Sequence, residues 1–380
     1  MKKRKPKGKR MGEIDYGIFC TIMLLLAVGV VMVYSASSYY AMFHYNDSMH
    51  YLKRQVIWSI LGVGAMMFMM ALDYHKLKRY TLIALIVTVP LLLLVFAFEG
   101  VNGAQRWIQL GPFSFQPSEL AKYVVVLYLA MFLEKRGDGV REFKKGVIPC
   151  FFVAGIFAAL VLAEKNLSIA SVIMIVTFIM VFAAGARNVH MFGVVAPTLV
   201  VAALGFALGE PYRRARMLNF TNPWKDPAGN GYQLIQSFYA LGAGGITGLG
   251  LGQSRQKMLY MPEPHNDFIF SIIGEELGLI GCLIIMGLFV IFVWRGIRVA
   301  MKAKDTYGSL LAIGITSVIA VQSIINIAVV TGSMPVTGVP LPFISYGGTS
   351  LVINLIAMGI LINISRQTEG KEPIKKAKQQ

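Results

Sequence analysis

The sequence predicts an all-α integral membrane protein with ten transmembrane helices, on the basis of composition, apolar runs and charge distribution. Of its 380 residues, 56% are hydrophobic and 14% are charged, whereas about a quarter of the residues in a soluble domain are charged. Ten runs of roughly 20 apolar residues are each long enough to cross a bilayer. The predicted spans lie near 14–34, 55–72, 80–98, 118–133, 147–163, 167–185, 190–208, 267–294, 307–330 and 345–364.

The positions of Lys and Arg predict that both chain ends are cytoplasmic. With that orientation, most of the 36 Lys and Arg residues fall on the inside segments, as the positive-inside rule requires. The chain then divides into a basic tail (1–13), a membrane domain (14–364) and a second cytoplasmic tail (365–380). The net charge of +17 is therefore explained by topology and anionic lipids, and we expect no nucleic-acid partner.

The first span is predicted to stay attached to the chain, and the cysteines are predicted to form neither a disulfide nor a metal site. The basic N-terminus precedes an apolar run longer than the core of a signal peptide, which predicts an uncleaved signal anchor. Cys20, Cys150 and Cys282 lie in or beside apolar runs without CxxC spacing. They are predicted to be small buried hydrophobic residues rather than disulfide or zinc ligands.

The loops predicted on the outer side are longer and more patterned than those inside. The largest is 209–266, before the eighth span, and smaller ones are predicted at 35–54, 99–117 and 331–346. Long loops without regular structure tend to be functional or disordered, and the aromatic, proline and glycine blocks here argue against disorder. Function is therefore sought on the extracytoplasmic side.

The most informative motif is PEPHNDFIFSIIGEE at 262–276. Asp267 is predicted at the N-cap of the eighth span, where an ionisable group is costly and often marks a site. The simpler alternative is that Asp267 only caps the helix. His265 belongs to the same cluster and is predicted to be a hydrogen-bond partner rather than a catalyst.

Two further motifs precede Asp267 in the large loop. Arg213, Arg214 and Arg216 form a basic cluster suited to phosphate, although a solvated run beside lipid headgroups is the alternative. The segment ALGAGGITGLGLGQS (240–254, the glycine segment) matches no nucleotide-binding pattern. Its Gly244/Gly248/Gly252 spacing favours tight packing or a re-entrant segment lining a cavity.

Two constellations in other loops carry the remaining candidates. Glu119 and Lys122 are three residues apart at the start of the fourth span and so share one helix face, where interior charges normally pair. A pair that only neutralises itself is the alternative. The uncharged segment GSMPVTGVPLPFISYGGTS (332–350), which includes Ser345, is predicted to form a wall of the same cavity.

No HExxH, GxSxG or Ser/His/Asp arrangement is present, so Asp267 is the candidate general base. The motifs GAQRWI…FQPSELAK, PEPHNDFIFSIIGEELG and PVTGVPLPFISYGGTS together resemble the SEDS family of bacterial cell-wall proteins (FtsW, RodA and SpoVE). The resemblance extends over nearly the whole chain in the family's ten-span layout. YSASS at 34–38 and PEPHNDF are more similar to the FtsW/SpoVE branch than to RodA.

The resemblance implies a peptidoglycan glycosyltransferase that polymerises lipid II on the outer face of the cytoplasmic membrane. It places the family's essential acid on Asp267, its motif Glu and Lys on Glu119 and Lys122, and its RW pair on Arg106–Trp107. The remaining substrate-binding candidates are Arg213, Arg214, Arg216, His265 and Ser345.

The chain departs from the family's pattern after the fifth span. Where many members have a Pro-Asp-Leu/Phe-Gly turn, this chain has Lys165–Asn166–Leu167–Ser168, with Glu164 adjacent. A role for a carboxylate in that turn is therefore open.

Two other classes of function and one related enzyme also fit ten spans with interior charges. A flippase for a lipid-linked precursor would need functional polar groups that reach the cytoplasmic face, and a scaffold would leave Asp267 unexplained. The related enzyme is a RodA-type elongation polymerase.

Expected partners are lipid II, a class B penicillin-binding protein, other division proteins and the membrane, with the division septum as location. We expect no organic cofactor; a divalent cation, Mg²⁺ or Mn²⁺, is compatible with the departing diphosphate, and no metal ligand is identified.

Overall fold

The computed structural model describes residues 12–100, 105–111, 113–209, 214, 217 and 220–368. These residues form a helical bundle with one short hairpin, as the all-α prediction requires. The helices are α1 (Tyr16–Tyr45), α2 (His50–Ala71), α3 (His75–Leu94), α4 (Pro117–Arg136), α5 (Ile148–Ala163), α6 (Leu167–Ala183), α7 (Ala196–Gly209), α8 (Tyr232–Gly244), α9 (Ile269–Lys302), α10 (Thr306–Val330) and α11 (Gly348–Arg366). Strands β1 (Ile108–Leu110) and β2 (Phe113–Phe115) pair antiparallel just before α4.

Every predicted span coincides with a helix, and the membrane fold is confirmed. Within the described ranges, eight helices are long and apolar enough to cross a membrane. The two others are α6, whose apolar stretch Leu167–Ala183 is shorter, and α4, which carries Glu119 and Lys122 in its first turns. The count of ten spans and the cytoplasmic placement of both ends stay predictions.

The predicted loop at 35–54 is wrong, because most of it is helical. α1 continues to Tyr45 and α2 begins at His50. The residues after 34 contain no glycine or proline, so nothing ends the helix until Asn46, which adopts the left-handed conformation (φ 53°) common after a helix. α1 therefore extends about 16 Å beyond its predicted end, at ~1.5 Å per residue.

The eighth predicted span is also not one straight helix. Gly278 interrupts α9 with φ 65° and ψ −167°, which separates residues 269–277 (the entry helix) from residues 279–302. The second part is about 36 Å long at ~1.5 Å per residue and is sufficient to cross the hydrocarbon layer by itself. The entry helix is thus an additional element that leads from Asp267 to the span.

The centre of the bundle is formed by α10 and α11. In the most apolar window of each, 67% of the residues are buried in α10 and 72% in α11. The corresponding value is 11% for Asn188–Phe206, the seventh span, which includes most of α7. α10 packs against α4, α6 and α9, whereas α11 packs mainly against α2.

Cys150 and Cys282 are buried as predicted, but the prediction for Cys20 is wrong: its side chain is exposed, on a face of α1 that suits contact with lipid.

The described part of the large loop is folded against the bundle, as its composition predicts. α8 packs along α9. The backbone groups freed by the Gly278 break are paired with the glycine segment: Leu279 N donates to Gly245 O (2.9 Å) and Ile280 N to Ile246 O (3.2 Å). In return, the amides of Leu249 and Gly250 donate to the carbonyls of the last turn of the entry helix, at 3.0 Å each.

Close packing of the glycine segment is confirmed at two of its three predicted positions. A Cβ on Gly244 would lie 1.9 Å from Gly274 O, and a Cβ on Gly248 would lie 2.2 Å from Glu276 O. A Cβ on Gly252 would meet no atom within 4 Å. Glycine at 244 and 248 therefore allows backbone to touch backbone.

Candidate active site

Asp267 lies in the turn that precedes the entry helix, not at the N-cap. α9 begins at Ile269 and its N-cap is Phe268, which makes no side-chain capping bond, so the N-cap prediction is wrong. Residues 262–268 (the Asp267 turn) form turns that are held by tertiary contacts. Because of these contacts, the helix begins only at Ile269. Asp267 is partly exposed, whereas Phe268 and Ile269 are buried.

The backbone of the Asp267 turn is fixed by α10 and by the loop that follows it. Asn326 of α10 donates through Nδ2 to the carbonyl of Asp267 and to that of Val339, at 2.7 Å each. Gly338 has φ 74°, and a Cβ placed on it would lie 3.4 Å from Asp267 Oδ2. Asn326 thus joins the two segments whose motifs indicated a common cavity.

His265 anchors the same turn by aromatic packing. Its ring lies 4.2 Å from Tyr51, 5.6 Å from Tyr346 and 5.7 Å from Tyr40, measured between ring centres. The side chain is 2% exposed, and its Nδ1 has no hydrogen-bond partner among the described atoms. Burial lowers the pKa of His265 to about 3. The imidazole is therefore neutral at physiological pH and packs among the three tyrosines, and its role as a hydrogen-bond partner stays a prediction.

Ser345 secures the next point of attachment. Its hydroxyl donates to the carbonyl of Asn266 and accepts from the amide of Leu341, at 2.8 Å each. The amide of Tyr346 donates to the carbonyl of His265 at 2.9 Å. Ser345 is buried, so the structure places it as a support of the Asp267 turn. A direct contact between Ser345 and substrate stays a prediction.

Glu119 and Lys122 form the buried pair that their spacing predicts. Lys122 Nζ lies 2.8 Å from Glu119 Oε2, and the two side chains are 0% and 1% exposed. Lys122 Nζ also lies 5.9 Å from the centre of the Tyr123 ring, within the range of a cation–π contact. The charge of Lys122 is thus held inside the bundle at the start of α4.

Arg106 binds the turn between α5 and α6. Its Nη2 donates to the carbonyl of Lys165, and its Nε lies 3.5 Å from the carbonyl of Glu164. The Glu164 side chain is fully buried, and burial raises its pKa to about 8 while the charge of Arg106 opposes that rise. Asn166 is the N-cap of α6, because its side chain accepts from Ile169 N. The unusual asparagine therefore preserves a cap, and the carboxyl group at this turn belongs to Glu164.

Contacts made by α6 and α11 connect the Asp267 turn with the region of Arg106, Glu119 and Lys122. Ser168, in the first turn of α6, donates to the carbonyl of Thr337, which neighbours the glycine beside Asp267. Thr349 of α11 donates to the carbonyl of Ser114 in the hairpin that leads into α4 (3.2 Å). The α5–α6 turn, which Arg106 binds, and the Asp267 turn therefore lie at one end of the bundle. The charge pattern predicts that this end faces the outside.

The predicted basic cluster is described only in part. Arg214 is exposed in a helical turn, which suits either phosphate binding or a solvated position. Arg213 and Arg216 lie outside the described residues.

The sequence reasoning missed a buried polar network at the far end of the entry helix. Glu275 and Glu276 are 0% exposed, and Lys257 Nζ lies 2.8 Å from Glu276 Oε1. Ser35 of α1 donates to the Glu276 carboxylate at 2.7 Å. The available signal was GEE within an apolar run, because two adjacent glutamates there need buried partners.

No metal site is apparent in the described part of the chain. No group of three or more His, Cys, Asp or Glu side chains there is placed to hold an ion. Participation of a divalent cation stays a prediction.

Comparison with known proteins assigns the chain to a family. The model of the family described as "Cell cycle protein", for FtsW, RodA and SpoVE, matches residues 16–370. The chain belongs to the FtsW/RodA/SpoVE family. Stage V sporulation protein E of Bacillus subtilis is 44% identical over 350 residues, which cover 90% of this chain and 94% of that protein. The probable peptidoglycan glycosyltransferase FtsW of Geobacter metallireducens is 43% identical over 366 residues, which cover 95% of this chain and 97% of that protein.

Solved structures share the fold over nearly the full length of this FtsW/RodA/SpoVE family member. A chain in a structure described as "Structural coordination of polymerization and crosslinking by a peptidoglycan synthase complex" has a TM-score of 0.77 and 30% identity, covering 93% of this chain and 98% of that one. RodA of Thermus thermophilus has a TM-score of 0.70 and 25% identity, covering 94% of this chain and 98% of RodA. The SEDS resemblance and the predicted FtsW/SpoVE branch are confirmed.

Proposed function

We propose that this membrane protein is a peptidoglycan glycosyltransferase that polymerises lipid II at the outer face of the cytoplasmic membrane. The observation that carries the proposal is the Asp267 turn. The backbone that carries this partly exposed carboxylate is held there by Asn326, Ser345 and the buried His265, in a chain 43% identical to a probable peptidoglycan glycosyltransferase. A carboxylate fixed in this way suits a base better than a mobile surface group does.

The reaction assigned to Asp267 is removal of a proton from a sugar hydroxyl. The 4-hydroxyl of the acceptor sugar attacks the anomeric carbon of the donor, and a new carbon–oxygen bond forms. The hydroxyl proton passes to the Asp267 carboxylate, while the bond to the lipid diphosphate breaks and its electron pair leaves with the diphosphate. One displacement inverts the anomeric centre, whereas a retaining route would need a second carboxylate about 5 Å away.

The departing diphosphate requires positive charge. We assign this role first to Lys122, because Glu119 fixes its position and uses only one of its three N–H donors. Arg106 holds the neighbouring turn through its guanidinium. Arg213, Arg214 and Arg216 would meet the diphosphate from the large loop, and Mg²⁺ or Mn²⁺ would add charge of the same kind.

The cellular role follows from the relatives. The relatives are stage V sporulation protein E and FtsW, which supports cell division or sporulation rather than elongation. The structural relative that takes part in polymerization and crosslinking supports a class B penicillin-binding protein as partner, with other division proteins at the septum.

The proposal is tested with purified protein in liposomes that contain lipid II. Asp267→Asn should insert and fold normally but form no glycan chains, because the amide cannot accept the proton. Asp47→Asn is the matched control, since Asp47 pairs with Lys53 on the surface (2.8 Å) and should leave polymerisation unchanged. Normal polymerisation by Asp267→Asn would disprove the base assignment. Transbilayer movement of lipid II by wild type without glycan formation would instead indicate a flippase.

A further inference from the structure

We propose that Lys257, Glu276 and Ser35 form a lock that positions Asp267 from the opposite end of the entry helix. This inference rests on the proposed function, because it assigns these residues a positioning role in the same reaction. Glu276 lies about 10 Å along the entry helix from its first residue, Ile269, at ~1.5 Å per residue, and Asp267 precedes that residue, so the lock does not touch the reacting atoms.

The Glu276 carboxylate accepts hydrogen bonds from three donors, one on α1 and two in the loop 254–257. It accepts from Ser35 of α1 (2.7 Å), from the Lys257 ammonium (2.8 Å) and from the amide of Ser254 (3.3 Å). The Glu276 and Lys257 side chains are 0% and 5% exposed. Removal of either partner would leave a charge uncompensated inside the protein, which is strongly unfavourable.

The Lys257 ammonium is saturated with acceptors. Besides Glu276, it donates to the carbonyl of Gly252 (2.7 Å) and to the hydroxyl of Ser35 (3.1 Å). These bonds use all three of its N–H donors. The lysine therefore holds the end of the glycine segment, α1 and the entry helix at one point.

Glu275 orders the loop that supplies Lys257. Its carboxylate accepts from the amides of Arg255 (2.8 Å) and Gln256 (3.4 Å) and from the hydroxyl of Ser254. The two adjacent glutamates thus have different tasks: Glu275 shapes the loop 254–257, and Glu276 binds its lysine.

The Gly278 break is the reason that this end needs a lock. At the break, Gly278 interrupts the helical conformation that would hold the entry helix rigidly in line with the following span. The backbone hydrogen bonds to the glycine segment replace part of that connection. The lock adds a side-chain connection from the entry helix to α1. Because Asp267 lies in the turn directly before the other end of this short helix, a shift at Glu276 changes the position of the carboxylate.

The first test uses single neutralising variants in the lipid II polymerisation assay. Glu276→Gln and Lys257→Met should each lower kcat by roughly 10- to 100-fold while KM changes by less than about threefold, the cost expected of a small misplacement of the base. The proposal is overturned if either variant keeps the wild-type kcat, or if KM alone changes.

The double variant Lys257→Met/Glu276→Gln supplies the rescue. It removes both charges, so neither remains unpaired in the interior, and it should recover kcat at least about tenfold over each single variant. A double variant as slow as the slower single would contradict the positioning role. The control pair Lys53→Met and Asp47→Asn, whose side chains are 62% and 39% exposed, should leave kcat unchanged singly and together.

A readout independent of catalysis separates this inference from the proposed function. Hydrogen–deuterium exchange should increase in peptides covering 254–277 in Glu276→Gln, return toward wild type in the double variant and stay unchanged in Asp267→Asn. Unaltered exchange in Glu276→Gln would disprove the lock even if activity fell. Altered exchange in a protein whose wild type forms no glycan would preserve the lock and reject the polymerase.

Discussion

Two buried Lys–Glu pairs of the same length have different origins in this molecule. Glu119 and Lys122 are three residues apart on α4, and Lys257 and Glu276 join a loop to the end of the entry helix, each pair at 2.8 Å. The first pair forms wherever α4 forms. The second exists only when the glycine segment, α1 and α9 have assembled.

This difference separates a chemical role from a mechanical one. A pair within one helix fixes a charge relative to its own backbone and imposes nothing on other elements, which suits a cation that meets substrate. A pair across three segments fixes those segments relative to each other. Distance and burial are alike in the two pairs, so they cannot distinguish the roles, but the double variants can.

The largest expected effect is at the local pair. Lys122→Met should reduce polymerisation by about 100- to 1,000-fold, because it removes the cation assigned to the diphosphate. The initial rate from lipid II in liposomes measures the effect. Tyr123→Phe, which removes the neighbouring hydroxyl that donates to Asn354 (2.7 Å) but leaves the charge, is the control and should remain within about tenfold of wild type. Wild-type activity in Lys122→Met would remove Lys122 from the mechanism.

Neutralising both partners should separate the two pairs. Glu119→Gln/Lys122→Met should stay as inactive as Lys122→Met, because compensation of charge does not replace a missing cation. Lys257→Met/Glu276→Gln should recover at least about tenfold over its single variants. The same polymerisation assay measures both. Recovery in the first double variant, or none in the second, would reverse the assignment of roles.

A smaller effect, on folding rather than rate, is expected at the glycine segment. Gly248→Ala should lower Tm clearly, because the new Cβ would lie 2.2 Å from Glu276 O and the backbone would have to move. Gly252→Ala shares the positive φ but meets no atom within 4 Å, so it should cost only about 1–2 kcal/mol of conformational strain. Thermal unfolding in detergent compares the two variants, and equal Tm values would refute the close approach.

The smallest effect is a pH dependence from His265. Its pKa is about 3 in the folded protein and about 6.5 when unfolded. Below about pH 6.5 the unfolded chain binds the proton first, so stability falls as pH decreases, by about 1.6 kcal/mol between pH 6.5 and pH 5. His265→Phe, which keeps a ring among the tyrosines, should show a correspondingly smaller loss of Tm from pH 7 to pH 5. The same loss in both proteins would show that His265 is not buried in the neutral form.

The sequence predicts those parts of the fold and site that depend on nearby residues. The spans follow from runs of apolar residues, and the Glu119–Lys122 pair follows from helical spacing. The boundary between α5 and α6 also lies where AEKN predicts it. Each of these depends on interactions within one turn or one helix.

The errors and omissions arise where distant segments decide the outcome. Asp267 is a good N-cap residue, but contacts from Asn326 and Ser345 hold its backbone outside the helix. Lys257 is one cation in a basic chain, and nothing near it in sequence indicates that it pairs with Glu276. The extension of α1 was missed because hydropathy locates the end of a membrane span and not the end of a helix.

α1 contacts α9 at two polar points, one at its start and one about two thirds of the way along it. Near its start, Asp15 lies 3.2 Å from Arg295, and farther along, Ser35 meets Glu276. Each helix covers about 30 Å between these points at ~1.5 Å per residue, which is the thickness of a bilayer's hydrocarbon core. The spacing of the two contacts therefore matches one bilayer crossing, and it predicts that the end of the entry helix at Glu276 lies near headgroup depth. In the proposed reaction, we expect a lipid-linked substrate to reach the Asp267 turn with its lipid tail still in the bilayer.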